Sequence, residues 1–214
     1  MLKRLLDIVL AIIGVAFFLP VVPVLVALIK LDSKGAVFYT CERFGKGRIP
    51  FKMYKFRTMY ETPGQIGPSV CPQGDSRVTP VGRFLRRTKL NELPQLINVL
   101  KGDLAVVGPR PESPDLAALY PPHAWAIFTV KPGLFGPNQI HTFHEEEQYP
   151  PEVDPQSYYI EVILPNKLTM DLDYVHHHSM FVDLKCIFDA IKLTLFHFFD
   201  LKMFTINERF LHRH

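Results

Sequence analysis

An uncharged segment near the N-terminus constrains the fold more than any other feature of the chain. Between Ile8 and Ile29 no charged residue occurs over 22 positions, and a straight helix of that length crosses a bilayer core of roughly 30 Å. Pro20 and Pro23 interrupt the segment near its middle, where proline removes a backbone donor and favours a kink. The segment therefore predicts a broken membrane helix over residues 1–31.

Basic residues on both sides of this segment bear on its topology. Lys3 and Arg4 precede it, and further basic residues follow it at Lys30, Lys34, Arg43, Lys46 and Arg48. Because positively charged flanks favour the cytoplasmic side of a membrane, both ends are expected on one face and the helix is expected to be re-entrant. A helix that spans the bilayer and a buried helix of a soluble core are the alternatives. No small-residue cleavage site follows the apolar run, so the pattern is not that of a cleaved signal peptide.

The rest of the chain predicts an α+β fold that is mostly helical. A compact core is expected over residues 32–182, followed by an amphipathic helix and tail over residues 183–214. The three cysteines show no CxxC spacing, which argues against a disulfide framework or a zinc site. Residues 43–101 hold 12 Lys or Arg against 3 Asp or Glu. That balance suits phosphate-bearing ligands, anionic lipid or nucleic acid.

The stretch from Lys89 to Pro111 combines a helix, a stop, a short strand and a rigid arginine. Gly102 is placed to end the helix, and Asn91 stands where an N-cap residue belongs. The apolar face of this helix is expected to comprise Leu93, Leu96, Ile97 and Leu100. Free N–H groups and the positive end of the helix dipole then point toward Asn91 and Glu92. This arrangement predicts an anion site, and phosphate is the anion that such sites usually hold.

Three segments supply candidate phosphate ligands. Arg110 has a proline on each side, and these rings restrict its backbone and lower the entropy cost of a clamp. In the strand expected over residues 51–58, Lys55 and Arg57 either reach phosphate or form a plain basic outer face. A helix expected to begin after Thr79 as N-cap carries three more arginines, Arg83, Arg86 and Arg87.

The remaining segments carry weaker signals. Residues 61–73 are rich in Pro and Gly and predict a loop over the site. Adjacent side chains diverge, so Glu145–Glu147 and His176–His178 are interpreted as solvated patches rather than metal sites. The last helix has an apolar face that suits either a membrane interface or the protein's own core. This face comprises Leu184, Ile187, Phe188, Ile191, Leu195, Phe198 and Phe199.

A set of motifs extends over nearly the whole chain. Its members are KRLLDIVLA from Lys3, KFRTM from Lys55, DSRVTPVGRFLRRT from Asp75, LNELPQLINVLKGD from Leu90, GPRPE from Gly108, KPG from Lys131 and ILPNKL from Ile163. This set resembles that of the monotopic phosphoglycosyl transferases, the bacterial sugar transferase family. The resemblance implies an inner-membrane protein with a re-entrant N-terminal helix, interfacial amphipathic helices and a small catalytic core on the cytoplasmic face. It also implies transfer of a sugar-1-phosphate from a nucleotide sugar, usually a UDP-sugar, to polyprenyl phosphate, with Mg²⁺ as cofactor, at the start of exopolysaccharide or glycoconjugate assembly.

The same resemblance implies roles for single positions. In the family pattern, an aspartate nucleophile that forms a covalent phosphosugar intermediate stands at the position of Asn91. The glutamate that follows is Glu92 here, the expected acid–base group, and Mg²⁺ is expected near these two residues. The phosphate-binding arginines of the family fall on Arg86 and Arg110. Lys55 and Arg57 are further candidates for holding phosphate.

Asn91 departs from that pattern, because a neutral amide oxygen is a far poorer nucleophile than a carboxylate. Three explanations are open: an engineered, stalled variant, direct transfer with Glu92 as base, or a weakly active or inactive paralogue. The expected function is phosphoglycosyl transfer. The alternative is a catalytically blocked membrane protein that binds nucleotide sugar or polyprenyl phosphate and regulates partners. Nucleic-acid binding is disfavoured, because no nucleic-acid module accompanies the basic segment.

Overall fold

The N-terminal segment forms two helices that meet at a bend. The computed structural model describes residues 2–61, 70–150 and 152–211, with side chains along the last helix as far as residue 196. Helix α1 (Leu2–Phe18) is followed by helix α2 (Val22–Asp32), and the chain axis bends by 64° between them. No single helix within these ranges has the length and apolar composition to cross a bilayer, whereas the bent pair taken together passes that test. The predicted break is therefore confirmed, while its insertion into a membrane stays a prediction.

A β-hairpin and a capped helix follow. Strands β1 (Phe38–Phe44) and β2 (Pro50–Phe56) pair in antiparallel fashion. The hairpin turn passes through Gly47, whose φ of +70° is readily adopted by glycine. Helix α3 (Pro80–Arg87) begins as predicted, because the Thr79 hydroxyl accepts a hydrogen bond from the Gly82 amide. Most of the loop predicted over residues 61–73 lies outside the described residues.

The central stretch differs from its prediction at the start of its helix. Residues Leu90–Glu92 form a 3₁₀ turn, and helix α4 (Gln95–Lys101) begins only after Pro94. Asn91 is thus not an N-cap, and its side-chain oxygen accepts no hydrogen bond from the described residues. The predicted stop is confirmed: Gly102 adopts φ +90°, and its amide bonds the last carbonyls of α4.

Helix α4 also buries a different face from the predicted one. Leu96 and Val99 are buried against α1, where Leu96 packs beside Gly14. Ile97 and Leu100 of the predicted apolar face are 49% and 37% exposed. The buried sector of α4 instead takes in polar Gln95 and Asn98, because the helix also packs on β2, whose backbone Asn98 hydrogen-bonds.

Strand β3 (Ala105–Val107) leads directly into the arginine turn. It pairs in parallel with β4 (Gly133–Phe135), and its three residues are fully enclosed. The core around this pair is made by α1, α4 and the C-terminal helices, through Ala11, Leu96, Val99, Leu104, Val106, Val107, Leu134, Tyr174 and Cys186. A short strand pair thus lies at the centre of a mostly helical fold, in agreement with the predicted α+β class.

The C-terminal half is almost entirely helical. Its elements are α5 (Pro114–Ala117), a 3₁₀ segment (Pro122–Thr129), α6 (Pro137–His141), a 3₁₀ turn (Glu145–Glu147), α7 (Pro155–Tyr158), a π-helical segment (Tyr159–Ile163), α8 (Leu164–His177) and α9 (Met180–Leu211). Among the side chains of α9 that the structure describes, Asp183, Cys186 and Ala190 are buried. Packing of the predicted apolar face on the core is wrong for Leu184, Phe188, Ile191 and Leu195, which are each at least half exposed. Phe198 and Phe199 of that face lie outside the described side chains. A membrane interface stays a prediction for this face.

Candidate active site

Three elements bring Lys55, Glu92 and Arg110 to one point. Lys55 comes from β2, Glu92 from the 3₁₀ turn and Arg110 from the loop after β3. The Arg110 guanidinium donates two hydrogen bonds to the Glu92 carboxylate: Nη2 lies 2.7 Å from Oε1, and Nη1 lies 3.4 Å from Oε2. Lys55 Nζ lies 3.7 Å from the same Oε1. Two cations therefore share one largely buried carboxylate, next in sequence to Asn91.

Burial and charge oppose each other in this cluster. Burial by itself would raise the pKa of Glu92, but the charges of Arg110 and Lys55 outweigh it and hold this pKa well below its usual range. Burial lowers the pKa of Lys55 to about 8, with Glu92 opposing the shift. Burial would also lower the pKa of Arg110, but the Glu92 charge raises it above its ordinary value. At neutral pH, Glu92 is accordingly a carboxylate of low basicity, and Lys55 can lose its proton within the physiological range.

The backbone that carries Arg110 is rigid. A side chain at Gly108 would meet the Lys131 carbonyl oxygen at 2.5 Å, so the two chain segments approach closely there. The Gly108 amide bonds Phe135 O, and the Gly133 amide bonds Pro109 O. Pro109 is also fully buried, so the backbone that leads to Arg110 has little conformational freedom. Sequence reasoning anticipated the prolines but not this cross-strand clamp.

Asn91 lies beside this cluster with an unused acceptor. The residue is 8% exposed, and its Oδ1 accepts no hydrogen bond from any part of the chain that the structure describes. A buried polar atom without a partner is costly, and such atoms commonly meet a ligand or water. Asn91 therefore presents a neutral oxygen at the predicted nucleophile position.

The other two predicted phosphate ligands lie apart from the Glu92 ion pairs. Arg86 donates from Nε to Thr58 Oγ1 at 2.9 Å and from Nη1 to Cys71 Sγ at 2.8 Å. Arg57 is 6% exposed, and all three of its nitrogens donate to the segment after α2. Its acceptors are Ala36 O, Ser33 Oγ, Lys34 O and Ser33 O. Phosphate contact stays a prediction for both arginines, and for Arg57 it would compete with four hydrogen bonds.

A second polar network near the first was missed from the sequence. Lys167 lies 3.5 Å from Glu112 and 3.2 Å from Glu145, and its Nζ donates to Tyr159 at 2.9 Å. One turn further along α8, burial raises the pKa of Asp171 to about 7. The usable signal was a lysine and an aspartate four residues apart in a helix whose other buried positions are Leu164, Leu168 and Tyr174. Arg110 influences both Lys167 and Asp171, so the two networks adjoin.

The described residues provide no site made of protein ligands alone for the expected Mg²⁺. Among the residues described, no three His, Cys, Asp or Glu side chains are grouped as metal ligands. Both Glu92 oxygens accept hydrogen bonds from Arg110. The amide oxygen of the neighbouring residue Asn91 accepts none from the described residues and could act as a metal ligand. These residues do not fit a site for a bare Mg²⁺ ion, because a hard divalent cation requires several unengaged oxygens. No reaction step is assigned to the ion.

Comparison with known proteins places this geometry in a family. The family model for bacterial sugar transferases matches residues 1–197. A Bacillus subtilis protein, named provisionally as an undecaprenyl-phosphate N-acetylgalactosaminyl 1-phosphate transferase, is 50% identical over 113 residues, which cover 53% of this chain and 63% of that protein. The UDP-N-acetylgalactosamine-undecaprenyl-phosphate N-acetylgalactosaminephosphotransferase of Aeromonas hydrophila is 34% identical over 91% of this chain and 44% of its own length. For the UDP-glucose:undecaprenyl-phosphate glucose-1-phosphate transferase of Caulobacter vibrioides the identity is 34%, over 88% of this chain and 68% of that protein.

The first two of these relatives extend well beyond the matched region, since the chain spans 63% and 44% of their lengths. The chain belongs to the bacterial sugar transferase family.

Proposed function

We propose that this protein is a phosphoglycosyl transferase, which moves a sugar-1-phosphate from a UDP-sugar to undecaprenyl phosphate. The observation that carries the proposal is the meeting of Arg110 and Lys55 on Glu92, next in sequence to Asn91, whose side-chain oxygen accepts no hydrogen bond from the described residues. A forked guanidinium and an ammonium held a few ångströms apart suit the oxygens of a diphosphate. The relatives named above for transfer from UDP-sugars to undecaprenyl phosphate support that choice of substrates.

In this proposal Glu92 holds the two cations in place until the donor arrives. Donor phosphates compete with the carboxylate for Arg110 and Lys55, whose charges are what keep the pKa of Glu92 low. As those charges are drawn toward phosphate, the basicity of Glu92 rises. The predicted acid–base role is thus proposed for the donor complex rather than for the free protein.

The transfer itself breaks one P–O bond and forms another. In the covalent route implied by the family pattern, a carboxylate oxygen attacks the phosphorus next to the sugar. The bond from that phosphorus to the bridging oxygen breaks, and UMP leaves with the electron pair. Asn91 lacks the charged oxygen, so we propose direct attack by an undecaprenyl phosphate oxygen on the same phosphorus. In this route the side-chain oxygen of Asn91 accepts a hydrogen bond from the substrate.

We also propose that Mg²⁺ enters with the donor. Mg²⁺ commonly binds through substrate phosphates and one or two protein oxygens and keeps several waters. That mode needs no site built from protein oxygens alone. When bound, the ion would offset the diphosphate charge.

Membrane attachment on the cytoplasmic face of the inner membrane is part of the same proposal. At one end of the bent pair, Lys3 contacts Asp183 of α9. At the other end, Arg57 holds the backbone of Ser33 and Lys34, just past α2. Both ends thus touch the same body of protein, which supports the re-entrant topology.

The topology can be tested by labelling in sealed vesicles. Single cysteines replace exposed Leu2 and Lys34 in a cysteine-free background, and a membrane-impermeant thiol reagent is added from one side. Equal labelling from one side is expected. Labelling of the two positions from opposite sides would contradict the re-entrant helix.

A second candidate function is binding of these substrates without turnover. It is favoured by Asn91, because an amide oxygen does not form the covalent intermediate. The two candidates differ in one assay: release of UMP from a panel of UDP-sugars in the presence of undecaprenyl phosphate and Mg²⁺. Direct transfer predicts slow release by the protein as it stands.

Asn91→Asp is the informative comparison in that assay. If this variant turns over while the unmodified protein is silent with every donor, position 91 is the nucleophile position and this chain is blocked. Asn166→Asp, which places the same charge at an exposed position of α8, controls for a general effect of added charge. If the unmodified protein and Asn91→Asp are both silent, the transferase proposal loses to the binding function.

A further inference from the structure

We propose that Asp7, in the N-terminal helix, is a positioning residue for Arg110. The proposal rests on the function proposed above, because it takes Arg110 to hold donor phosphate. It assigns to α1 a task beyond membrane attachment. The helix fixes the strand that delivers the arginine.

The first observation is where the polar side chains of α1 point. Asp7 is 4% exposed although it sits in a helix whose outer face is apolar. Its Oδ1 accepts a hydrogen bond of 2.9 Å from the Val106 amide, in the middle of β3. A buried carboxylate needs such a partner. Since β4 pairs with β3 on one side only, Asp7 satisfies a backbone donor on the free edge of that strand.

The second observation is that side chains also hold the backbone of the next residue of β3. Lys3 Nζ donates to Val107 O at 3.0 Å and pairs with Asp183 Oδ2 at 2.5 Å. The Tyr174 hydroxyl lies 2.6 Å from Asp183 Oδ1 and 3.2 Å from Val107 O. Side chains from α1 and α8, which Asp183 of α9 links to each other, thus bond the backbone of two successive residues of β3.

The third observation is the short, stiff path from these bonds to the guanidinium. Val107 is followed by Gly108, which is clamped against Gly133, and by fully buried Pro109. Arg110 comes next. A shift of β3 toward or away from α1 would therefore displace Arg110 by a similar distance. Displacement of a binding group by about 1 Å is enough to weaken its action strongly.

The same helix offers a natural control. Arg4 also bonds the core, but it donates to Val99 O at 2.6 Å and to Leu100 O at 2.9 Å, at the end of α4. Loss of Arg4 removes two hydrogen bonds between α1 and the core without touching β3. Asp7 and Arg4 therefore separate the positioning of β3 from the general anchoring of α1.

The experiment measures binding of UDP, which is common to all candidate donors, to the full-length protein in nanodiscs. Asp7→Leu removes the acceptor and is expected to weaken UDP binding about tenfold, toward the level of Arg110→Ala. Asp7→Asn keeps an oxygen that can accept from Val106 and is expected to bind nearly as the unmodified protein does. Arg4→Gln is also expected to bind normally.

A double-mutant cycle shows whether Asp7 acts through Arg110. If it does, Asp7→Leu costs no further affinity once Arg110 has been replaced by alanine. A full tenfold loss in the Arg110→Ala background would overturn the proposal, as would unchanged UDP binding in Asp7→Leu alone. If Arg4→Gln weakened UDP binding as much as Asp7→Leu does, the effect would come from anchoring of α1 and not from positioning of β3, and the proposal would be overturned.

Hydrogen exchange of residues 104–111 provides a readout that does not depend on the substrate. Asp7→Leu is expected to speed exchange of the Val106 amide, and Asp7→Asn is not. If the unmodified protein binds no UDP, the proposed function fails, and this exchange measurement alone decides whether Asp7 holds the strand. Should Asp7→Leu not fold, Tyr174→Phe loosens the same strand from α8 and is expected to produce a smaller change of the same sign. Unchanged exchange in the folded variant would overturn the proposal.

Discussion

Replacing Glu92 with glutamine should lower the pKa of Lys55 and leave it neutral at physiological pH. Burial already lowers this pKa to about 8, and Glu92 is the largest influence in the opposite direction. Arg110 adds a repulsion that glutamine does not balance. Glu92→Gln keeps the shape of the side chain while it removes the charge that keeps Lys55 protonated.

The size of the effect follows from the geometry. At the 3.7 Å that separates Lys55 Nζ from Glu92 Oε1, Coulomb attraction amounts to roughly 4 kcal/mol at an effective dielectric constant of 20. That corresponds to about three pKa units as an upper limit. Arg110 shares the same oxygen, and both side chains retain some solvent contact, so a fall of about one to two units is expected. Lys55 would then titrate near pH 6 to 7.

The assay is the pH dependence of acylation of Lys55, followed by peptide mass spectrometry with exposed Lys46 as internal reference. Only the neutral amine reacts, so the midpoint reports the pKa. Glu42→Gln removes a carboxylate from β1 of the same hairpin and should leave the profile in place. An unshifted midpoint in Glu92→Gln, or equal shifts in both variants, would refute the ion pairing as described.

Three further predictions concern other parts of the structure. Burial raises the pKa of Asp171 to about 7, so the stability that protonated Asp171 contributes at low pH is lost as pH rises through that value. Asp171→Asn should therefore raise the free energy of unfolding at pH 8 by up to about 4 kcal/mol and change it little at pH 4, as measured by denaturant titration. A larger loss of stability at pH 8 than at pH 4 would contradict this. Thr79→Ala removes the cap of α3 and should cost about 1 kcal/mol, whereas Thr79→Ser should not. UDP affinity should fall from pH 7 to pH 9, by up to about tenfold, as Lys55 loses its proton, and the pH dependence should vanish in Lys55→Met.

Local rules accounted for those parts of the fold that depend on neighbours in sequence. The kink at Pro20, the cap at Thr79 and the stop at Gly102 each follow from the backbone chemistry of one residue. The start of α4 did not follow, because the segment between Lys89 and Pro94 closes into a 3₁₀ turn. That turn aims Glu92 at Arg110, so a contact 18 residues away competes with the capping preference of Asn91.

The candidate site was predictable in its residue types and not in its pairings. Lys55 and Arg57 have the same place in an alternating pattern, yet only Lys55 reaches Glu92. Strand β2 ends at Phe56, so Arg57 lies beyond the pleat and turns to the carbonyls after α2. The charge of Asp7 gave no signal either, since its partner is a backbone amide 99 residues away.

Asn91→Asp should have effects of opposite sign on binding and turnover. In this chain Lys55 and Arg110 both pair with Glu92, on which the charge of Lys89 also acts, while Glu112 and Glu145 act on Arg110 as well. Asparagine adds no negative charge here, whereas aspartate would compete with phosphate for these cations. UDP binding is therefore expected to weaken about three- to tenfold in Asn91→Asp, while UMP release rises.

Both quantities can be measured on the same preparation, with Asn91→Ala as a control that removes the amide without adding charge. If Asn91→Asp gained turnover and bound UDP more tightly, position 91 would not share the phosphate site with Lys55 and Arg110. If UDP binding weakened equally in Asn91→Ala, the loss would come from the amide oxygen rather than from charge. Weaker binding combined with faster release in Asn91→Asp alone would mean that a negative charge at position 91 opposes phosphate binding and promotes transfer.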